Sequence, residues 1–465
     1  MATATSNNDN ASELSPPTRI ILITYEFTFS TFSGNGILAI SLVKSLVRRG
    51  CHVTVWCCRP PTTCTNDNDG QVPDLTEEEL ERLTIVSTTI STADKWRRLD
   101  DESAWEEFVW SSLSESSQAT LAPSSSSAAA GSTHTAVLVI DWTGHHALKS
   151  TPFQDSSISQ NGIPLIYLNF RVYSSGVSCN VKRKWYDTRE KNAVQNADLV
   201  VALSEKDKAS LTNMMMINNN NNREKLQILV PPLRGDVEKL AKQTTTQQSI
   251  IWSHLPPEAK EVFTNNNNNQ PRKCFIACVV RLSPEKNTRR FVDFLKATRA
   301  FWKDRNWIPL LAGAASDPTY ATLVKQELRD VCGDGCVIVD SFLSPASLAA
   351  VFACTILNFH PCSYDAYGMT IMEAAAFGVP SVVAEGNHVG ATIHVGNGAS
   401  IQVPMNDCDD DDDGIAEQAV ETIVATLRDT AKLDAVGKLA RQRALAWDED
   451  AYGRALLDHI ASLNN

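Results

Sequence analysis

The chain has 465 residues, 43% of them apolar, and a formal net charge of -12 at neutral pH. That length exceeds one ordinary domain and predicts two. The acidic balance, with no basic stripe, argues against a nucleic-acid partner held by phosphate contacts and gives no general attraction to anionic membrane.

Residues 1–17 contain no apolar segment of the kind a secretory signal needs. They read as a disordered tail. No run of about 18 apolar residues occurs, so no membrane span is predicted. The twelve cysteines are scattered through a long chain and read as reduced thiols. Cys274/Cys278 and Cys332/Cys336 are spaced C-x3-C without paired histidines nearby, and read as thiols rather than zinc ligands. On these features a cytoplasmic protein is expected.

"RIILITYEF" from Arg19 reads as a buried strand. The turn "SGNG" (Ser33 to Gly36) follows, then "ILAISLVKSLVRRG" with helical apolar spacing, then the strand "CHVTVWCC". Strand, glycine turn, helix and strand make a βαβ unit on a parallel sheet. Glycines let backbone N–H groups approach a ligand, and Gly36 is a candidate donor-binding position. The turn lacks the full G-x-G-x-x-G spacing of a dinucleotide site.

Between Pro60 and His134 the pattern fades, and "SSLSESSQATLAPSSSSAAAGS" reads as a solvated insertion loop. Alternation resumes with the strands "TAVLVIDW" and "IPLIYLNF", a helix around "TREKNAVQNA", and the strand "DLVVALS". Two asparagine runs, 218–222 and 265–269, read as surface loops. A break falls at "ILVPPLRG", and a second alternating region opens at "KCFIACVVRLS". It continues through "WIPLLAGAA", "CVIVDSFLS", "CTILNFHP" and "SVVAE", and ends in a helix within "AWDEDAYGRALLDHIASL". The acidic run 409–413 reads as a loop, and its D-x-D match at Asp407 and Asp409 as a chance product of that composition. The fold class is α/β, with two doubly wound domains.

Two stretches in the second region carry chemistry. In "VVRLSPEKNTRRFVDFL" a strand ends at Arg281, and Lys286 follows five residues later at the start of a helix. Backbone donors and the positive helix end collect at such a junction, so two added cations suggest a bound anion. In "DAYGMTIMEAAAFGVP", Asp365 and Glu373 stand eight apart around a glycine-opened helix start. That is where open α/β sheets bind ligands, and carboxylates accept bonds from sugar hydroxyls. Together the two stretches suit a nucleotide diphosphate carrying a sugar.

On these residues the chain resembles retaining glycosyltransferases of the GT-B type, close to family 4. "VVRLSPEKN" is similar to the family's G-R-L-x-x-x-K-G segment, and "DAYGMTIMEAAAFGVP" to its E-x7-E motif with trailing A-x-G-x-P. "SGNG" resembles the acceptor-side glycine loop, and "DLVVALSE" the last strand of the first domain. Three departures stand out. Asp365 replaces the first glutamate, Val280 and Asn287 replace two glycines, and Ile140 stands where a histidine is frequent.

The resemblance implies a two-domain GT-B architecture. A tail (1–17) precedes an acceptor domain (18–235), a nucleotide-sugar domain (236–447) and a last segment (448–465) crossing back to the first domain. It implies transfer of a hexosyl group with retention from a UDP- or GDP-linked sugar, without metal or other cofactor. Arg281 and Lys286 would stabilise the departing diphosphate, and Asp365 would hold the transferred sugar. Glu373 would hold the ribose, with backbone at Gly368, Met369 and Thr370 touching sugar or phosphate. Asp141, His145 and Arg171 are the acceptor-side candidates, with His146 an alternative to His145. Arg171 either meets an anionic acceptor or caps its loop. The acceptor is a small molecule, a glycan or a lipid, with peripheral membrane contact left open. Two other readings are a catalytically inactive binding protein of this fold and a two-domain nicotinamide oxidoreductase. The second lacks an acid at the end of "HVTVWCC".

Overall fold

The computed structural model describes residues 19–29, 33–61, 70–92, 106–122, 135–148, 151, 163–176, 179–215, 225–243, 248–265, 272–405 and 414–464. The tail 1–17, the first asparagine run, the acidic run and its D-x-D lie outside these residues, as does the second run beyond Asn265. Among the described residues, no helix is long and apolar enough to cross a membrane. The ten described cysteines are all free.

The strands form two parallel sheets. The first runs in the order β3-β2-β1-β4-β5-β6-β7 and the second β10-β9-β8-β11-β12-β13. In the first, β1 (Arg19–Thr24), β2 (His52–Arg59), β4 (Thr135–Ile140), β5 (Leu165–Leu168) and β6 (Leu199–Ala202) are buried almost throughout. Helices cover both faces of such a sheet, so its strands read as continuous apolar runs. The edge strand β3 (Leu83–Thr89) is half-buried and polar, "LTIVSTT", and β7 (Leu226–Ile228) closes the other edge.

In the second sheet β8 (Phe275–Val279) and β11 (Thr355–Phe359) are central. They are flanked by β9 (Ile308–Ala312), β10 (Val337–Val339), β12 (Ser381–Ala384) and β13 (Ile401–Val403). Each sheet reverses its winding once, between β1 and β4 and between β8 and β11. Open α/β sheets bind ligands in the crevice outside the strand ends at this switch point.

Two expectations change. The serine-rich stretch read as a loop contains a helix, Glu115–Leu121, capped by Ser114 Oγ accepting from the Ser117 N–H. Leu113 and Leu121, together with Phe108 just before, bury themselves against the first sheet. The β4 strand stops at Ile140, and Asp141 and Trp142 begin a helix, Asp141–Leu148. Asp141 makes that turn with a left-handed φ of 54°.

The two halves share one apolar cluster that runs from β1 and the helix Gly34–Arg48 through Leu233 and Val237 into β8 and the helix Met369–Ala376. The last helix, Glu449–Ala461, packs on Gly34–Arg48, and a Cβ on Gly453 would sit 3.0 Å from Ser45. On the other side of the cleft, Gly390 lies so close to the carbonyls of Leu203 and Ala366 that a Cβ would meet each at 2.3 Å.

Candidate active site

Val280 continues β8 by donating its N–H to the Ala312 carbonyl (3.1 Å). Leu282 does the same to Ala314 (3.0 Å). Between them, Arg281 is delivered to the end of the sheet. A short 3-10 turn, Pro284–Lys286, follows, and Asn287 leaves it with a left-handed φ of 41° before the helix Arg289–Ala297. Asparagine tolerates that conformation where the resembling family has glycine. The close neighbour of this junction is Gly313, after β9. A Cβ there would lie 1.8 Å from the Val280 carbonyl oxygen, so only glycine lets the Arg281 backbone run where it does.

Arg281 donates from Nη2 to Glu285 Oε1 (2.9 Å), and its Nε is buried without a hydrogen-bond partner. Lys286 reaches across the switch point to the loop after β11. Its Nζ lies 2.6 Å from Asp365 Oδ2, and His360 Nε2 lies 3.4 Å from the same oxygen. Burial pushes the Asp365 carboxyl up, but Lys286 and His360 outweigh it and hold the group well below the usual carboxylate range. Burial likewise pushes Lys286 down, and Asp365 more than reverses that. The cation and the acid assigned to separate parts of a donor are therefore paired with one another. Burial alone would lower His360; Cys362 and Asp365 raise it to about 9.

Gly368 caps the helix Met369–Ala376 with a φ of 79°. A Cβ there would crowd Ile371 and Val389 at 2.9 Å. Met369 and Thr370 form the first turn, whose N–H groups have no intrahelical partner. Glu373 sits one turn further in, 4% exposed, where burial raises its pKa and Arg234 only partly opposes this. The Arg234 Nη1 to Glu373 Oε1 distance is 3.5 Å, and that oxygen makes no hydrogen bond.

The first sheet brings a second polar cluster to its own switch point. "SGNG" is the helix start itself rather than a turn before it, because Ser33 caps the helix and Gly36 is buried within its first turn. Ser33 Oγ donates to Glu26 Oε1 (2.5 Å) and accepts from the Asn35 N–H (3.2 Å). Asn35 Nδ2 donates to Asp141 Oδ2 (2.7 Å), which also accepts from the Tyr173 hydroxyl (3.1 Å). Asp141 Oδ1 accepts from the Phe170 N–H (2.7 Å). Burial raises Asp141 from 3.8 to about 7, against these three donations.

Glu190, buried, holds the following residues by accepting from the Tyr173 and Ser174 N–H groups and the Ser174 hydroxyl. The loop so fixed presents Arg171. Burial would lower its pKa, but Tyr173, Tyr364, Glu285 and Asp365 raise it instead. Arg171 thus joins Arg281 and Lys286 around the acids of the opposite half. His145 is not brought there. It is buried in the helix Asp141–Leu148, with Nε2 3.4 Å from Asn196, whose helix end leads into the start of β6.

The halves meet across the site. A Cβ on Gly34 would touch Met369 Sδ at 3.5 Å, so the N-termini of two helices face one another. The Tyr364 hydroxyl donates to Asp207 Oδ1 (2.6 Å). Three cations and two helix N-termini converge on one crevice, an arrangement that stabilises a multiply charged anion. Asp365 and Glu285 pair with those cations from within the protein. Gly313, Asn35 and Tyr173 belong to this site too. The first signalled only a strand end, and the other two depend on chain segments far apart in sequence.

One consequence concerns Asp141. Asp141→Asn places an amide NH2 opposite one of three donors, with an expected stability loss of about 1–3 kcal/mol in denaturant titration. The folded wild type keeps a proton on Asp141 that the unfolded chain releases between pH 3.8 and about 7. Stability from this group therefore falls as pH rises through that window. The variant cannot titrate there, so its deficit relative to wild type should shrink with rising pH; a deficit constant with pH would contradict this.

No protein-family model matches the chain, and no curated protein matches its sequence. Solved structures match over nearly its whole length. Sucrose-phosphate synthase from Thermosynechococcus elongatus is 17% identical with a TM-score of 0.62, covering 96% of this chain and 99% of its own. The E. coli trehalose-6-phosphate structure with bound UDP-2-fluoro glucose gives 11% and 0.62, covering 96% and 99%. Anabaena HepE in complex with UDP and glucose gives 14% and 0.57, covering 95% and 99%. At these identities the likeness shows the fold, which is the GT-B architecture: two Rossmann-like halves facing across a cleft.

Proposed function

We propose that the chain is a retaining hexosyltransferase of the family 4 kind, using a nucleotide-diphosphate sugar and no metal. The observation that carries this is the switch point of the second sheet. Arg281 and Lys286 converge there with Arg171 from the opposite half, beside the N-terminus of Met369–Ala376. Breaking the anomeric C–O bond leaves negative charge on the diphosphate. Fixed cations and helix N–H groups meet that charge as it develops, which is commonly the largest catalytic term. Arg281 and Lys286 neutralise the phosphates. Asp365, released from Lys286 by the incoming phosphate, takes hydroxyls of the transferred sugar. Glu373, whose Oε1 is ion-paired with Arg234 at 3.5 Å without a hydrogen bond, accepts from the ribose.

The half spanning residues 18–235 would bind the acceptor, with Asp141 and Asn35 at the floor of its crevice and Arg171 offered to an anionic group. The half spanning 236–447 would bind the donor, and the 448–465 segment would tie the two together. UDP is the first base to try, because the similar structures from E. coli and Anabaena hold uridine ligands. A cytoplasmic site of action suits the free thiols. A nicotinamide enzyme is disfavoured, since β2 ends in Cys57, Cys58 and Arg59 with no acid for a ribose.

A thermal-shift panel with UDP, GDP, ADP and their sugar conjugates tests the reading. One base should stabilise the wild type, by about 2.7 kcal/mol at a hundredfold excess over Kd, and the shift should vanish in Arg281→Ala. No shift with any nucleotide would favour the inactive binding protein instead.

A further inference from the structure

Beside the Lys286–Asp365 ion pair lie two side chains, His360 and Cys362, whose chemistry the donor reading does not use. His360 follows the end of β11, Cys362 comes two residues later, and Asp365 three after that. One ligating atom from each, an imidazole nitrogen, the thiol sulfur and a carboxylate oxygen, lies within 4.8 Å of the other two. His360 is 2% exposed and Cys362 fully buried. His360 Nε2 faces the Asp365 carboxylate at 3.4 Å, too loosely for a well-formed hydrogen bond. Buried polar groups are almost always partnered, and this buried imidazole faces only groups that are themselves metal ligands, the Cys362 thiol and the Asp365 carboxylate. The Cys362 thiol makes a long contact to the Lys286 carbonyl (3.6 Å).

We propose that His360, Cys362 and Asp365 bind a divalent zinc ion, and that zinc competes with Lys286 for Asp365. The donor set decides the metal. Zinc takes nitrogen, sulfur and carboxylate oxygen together, whereas magnesium and calcium select oxygen alone. Binding exchanges the thiol proton for the metal and releases it to solvent. Competition follows from position: Lys286 Nζ occupies Asp365 Oδ2 at 2.6 Å, and a dication on that carboxylate repels the ammonium. Zinc would then occupy the carboxylate that the proposed donor site offers to the transferred sugar, so the ion acts as an antagonist of sugar binding and not as a participant in the reaction.

The test uses the full chain and metal alone, so its failure leaves the donor reading untouched. Zinc is titrated calorimetrically, and cobalt(II) is added separately to look for a thiolate-to-metal charge-transfer band. The wild type should bind one zinc, and a variant lacking the less buried thiols (Cys179→Ser with Cys336→Ser) should do the same. Cys362→Ser should weaken zinc by about 100-fold or more and abolish the cobalt band. Should that variant not fold, His360→Gln should show the same loss. Lys286→Ala removes the competitor and should tighten zinc by about 10-fold or more. Absence of the cobalt band in wild type, or unchanged zinc affinity in Cys362→Ser, overturns the site. Unchanged affinity in Lys286→Ala overturns the competition.

Discussion

Replacing Lys286 by alanine is expected to lower turnover of the nucleotide sugar by about 10²–10³-fold, the loss that follows when one preorganised donor worth about 2.7–4 kcal/mol is removed from a developing anion. The same change leaves Asp365 without its ammonium partner. Asp365 is largely buried, its side chain 18% exposed, and His360 at 3.4 Å becomes the nearest group to answer its charge. Breaking a buried pair by removing one member costs about 3–5 kcal/mol, and His360 together with the partial exposure makes the lower end the better expectation. Activity and stability thus fall together in the single variant, and a second substitution separates them. In Lys286→Met with Asp365→Leu no charge is stranded, so stability should return toward wild type. Turnover should not return, because the cation is still missing and the carboxylate assigned to the transferred sugar is gone as well. Measuring kcat/KM and the denaturation midpoint for both variants decides the matter. If turnover recovers with stability in the double variant, Lys286 is a structural residue and the electrostatic reading of the site fails.

Much of this arrangement is legible in the sequence because it is local. The central strands are continuous apolar runs, since helices bury both of their faces, and each such run quoted from the sequence falls on a strand of one of the two sheets. The β3 edge strand escapes notice for the converse reason. "LTIVSTT" is half-exposed, and its threonines and serine resemble a loop until β2 supplies a partner. Asp141 misleads in another way. An apolar run ending in "VIDW" gives no warning that its acid turns through a left-handed φ to open a helix.

At the site, spacing alone brings out Arg281, Lys286, Asp365 and Glu373, because each pair lies within one loop-to-helix segment. What spacing does not show is that Lys286 and Asp365 touch. They are 79 positions apart, and only the adjacency of β8 and β11 brings them together. Arg171 is further still, since its approach to Asp365 needs the two halves to face each other. Long-range polar partners such as Tyr364 with Asp207, or Asn35 with Asp141, are invisible to any pattern of neighbours in sequence.

That facing depends on a buried ionic cluster at the far end of the helix Gly34–Arg48, and Glu449→Ala is expected to cost about 3–5 kcal/mol of stability. Glu449, with its side chain 3% exposed, begins the last helix. Its Oε1 accepts from the Gly235 N–H (3.2 Å) and lies 3.5 Å from Lys44 Nζ, and its Oε2 is paired with Arg48. Arg48 is partly exposed and can turn to solvent when its partner is lost. Lys44 cannot, because its side chain is 5% exposed and keeps only Asp74, at 3.6 Å. The alanine variant therefore strands one ammonium and one backbone donor. Glu449→Gln retains an acceptor for Gly235 and fills the same space, so its loss should be clearly smaller. The helix held by this cluster is the one whose other end faces Met369 across the crevice, so a loosened clamp should also weaken nucleotide binding without any change among the residues that touch the ligand. Denaturant titration and nucleotide titration of the two variants give both readouts. A Glu449→Ala stability within about 1 kcal/mol of wild type would mean that water already screens this pair as it does at a surface, and the clamp would have to be sought in the apolar contacts around Gly453 instead.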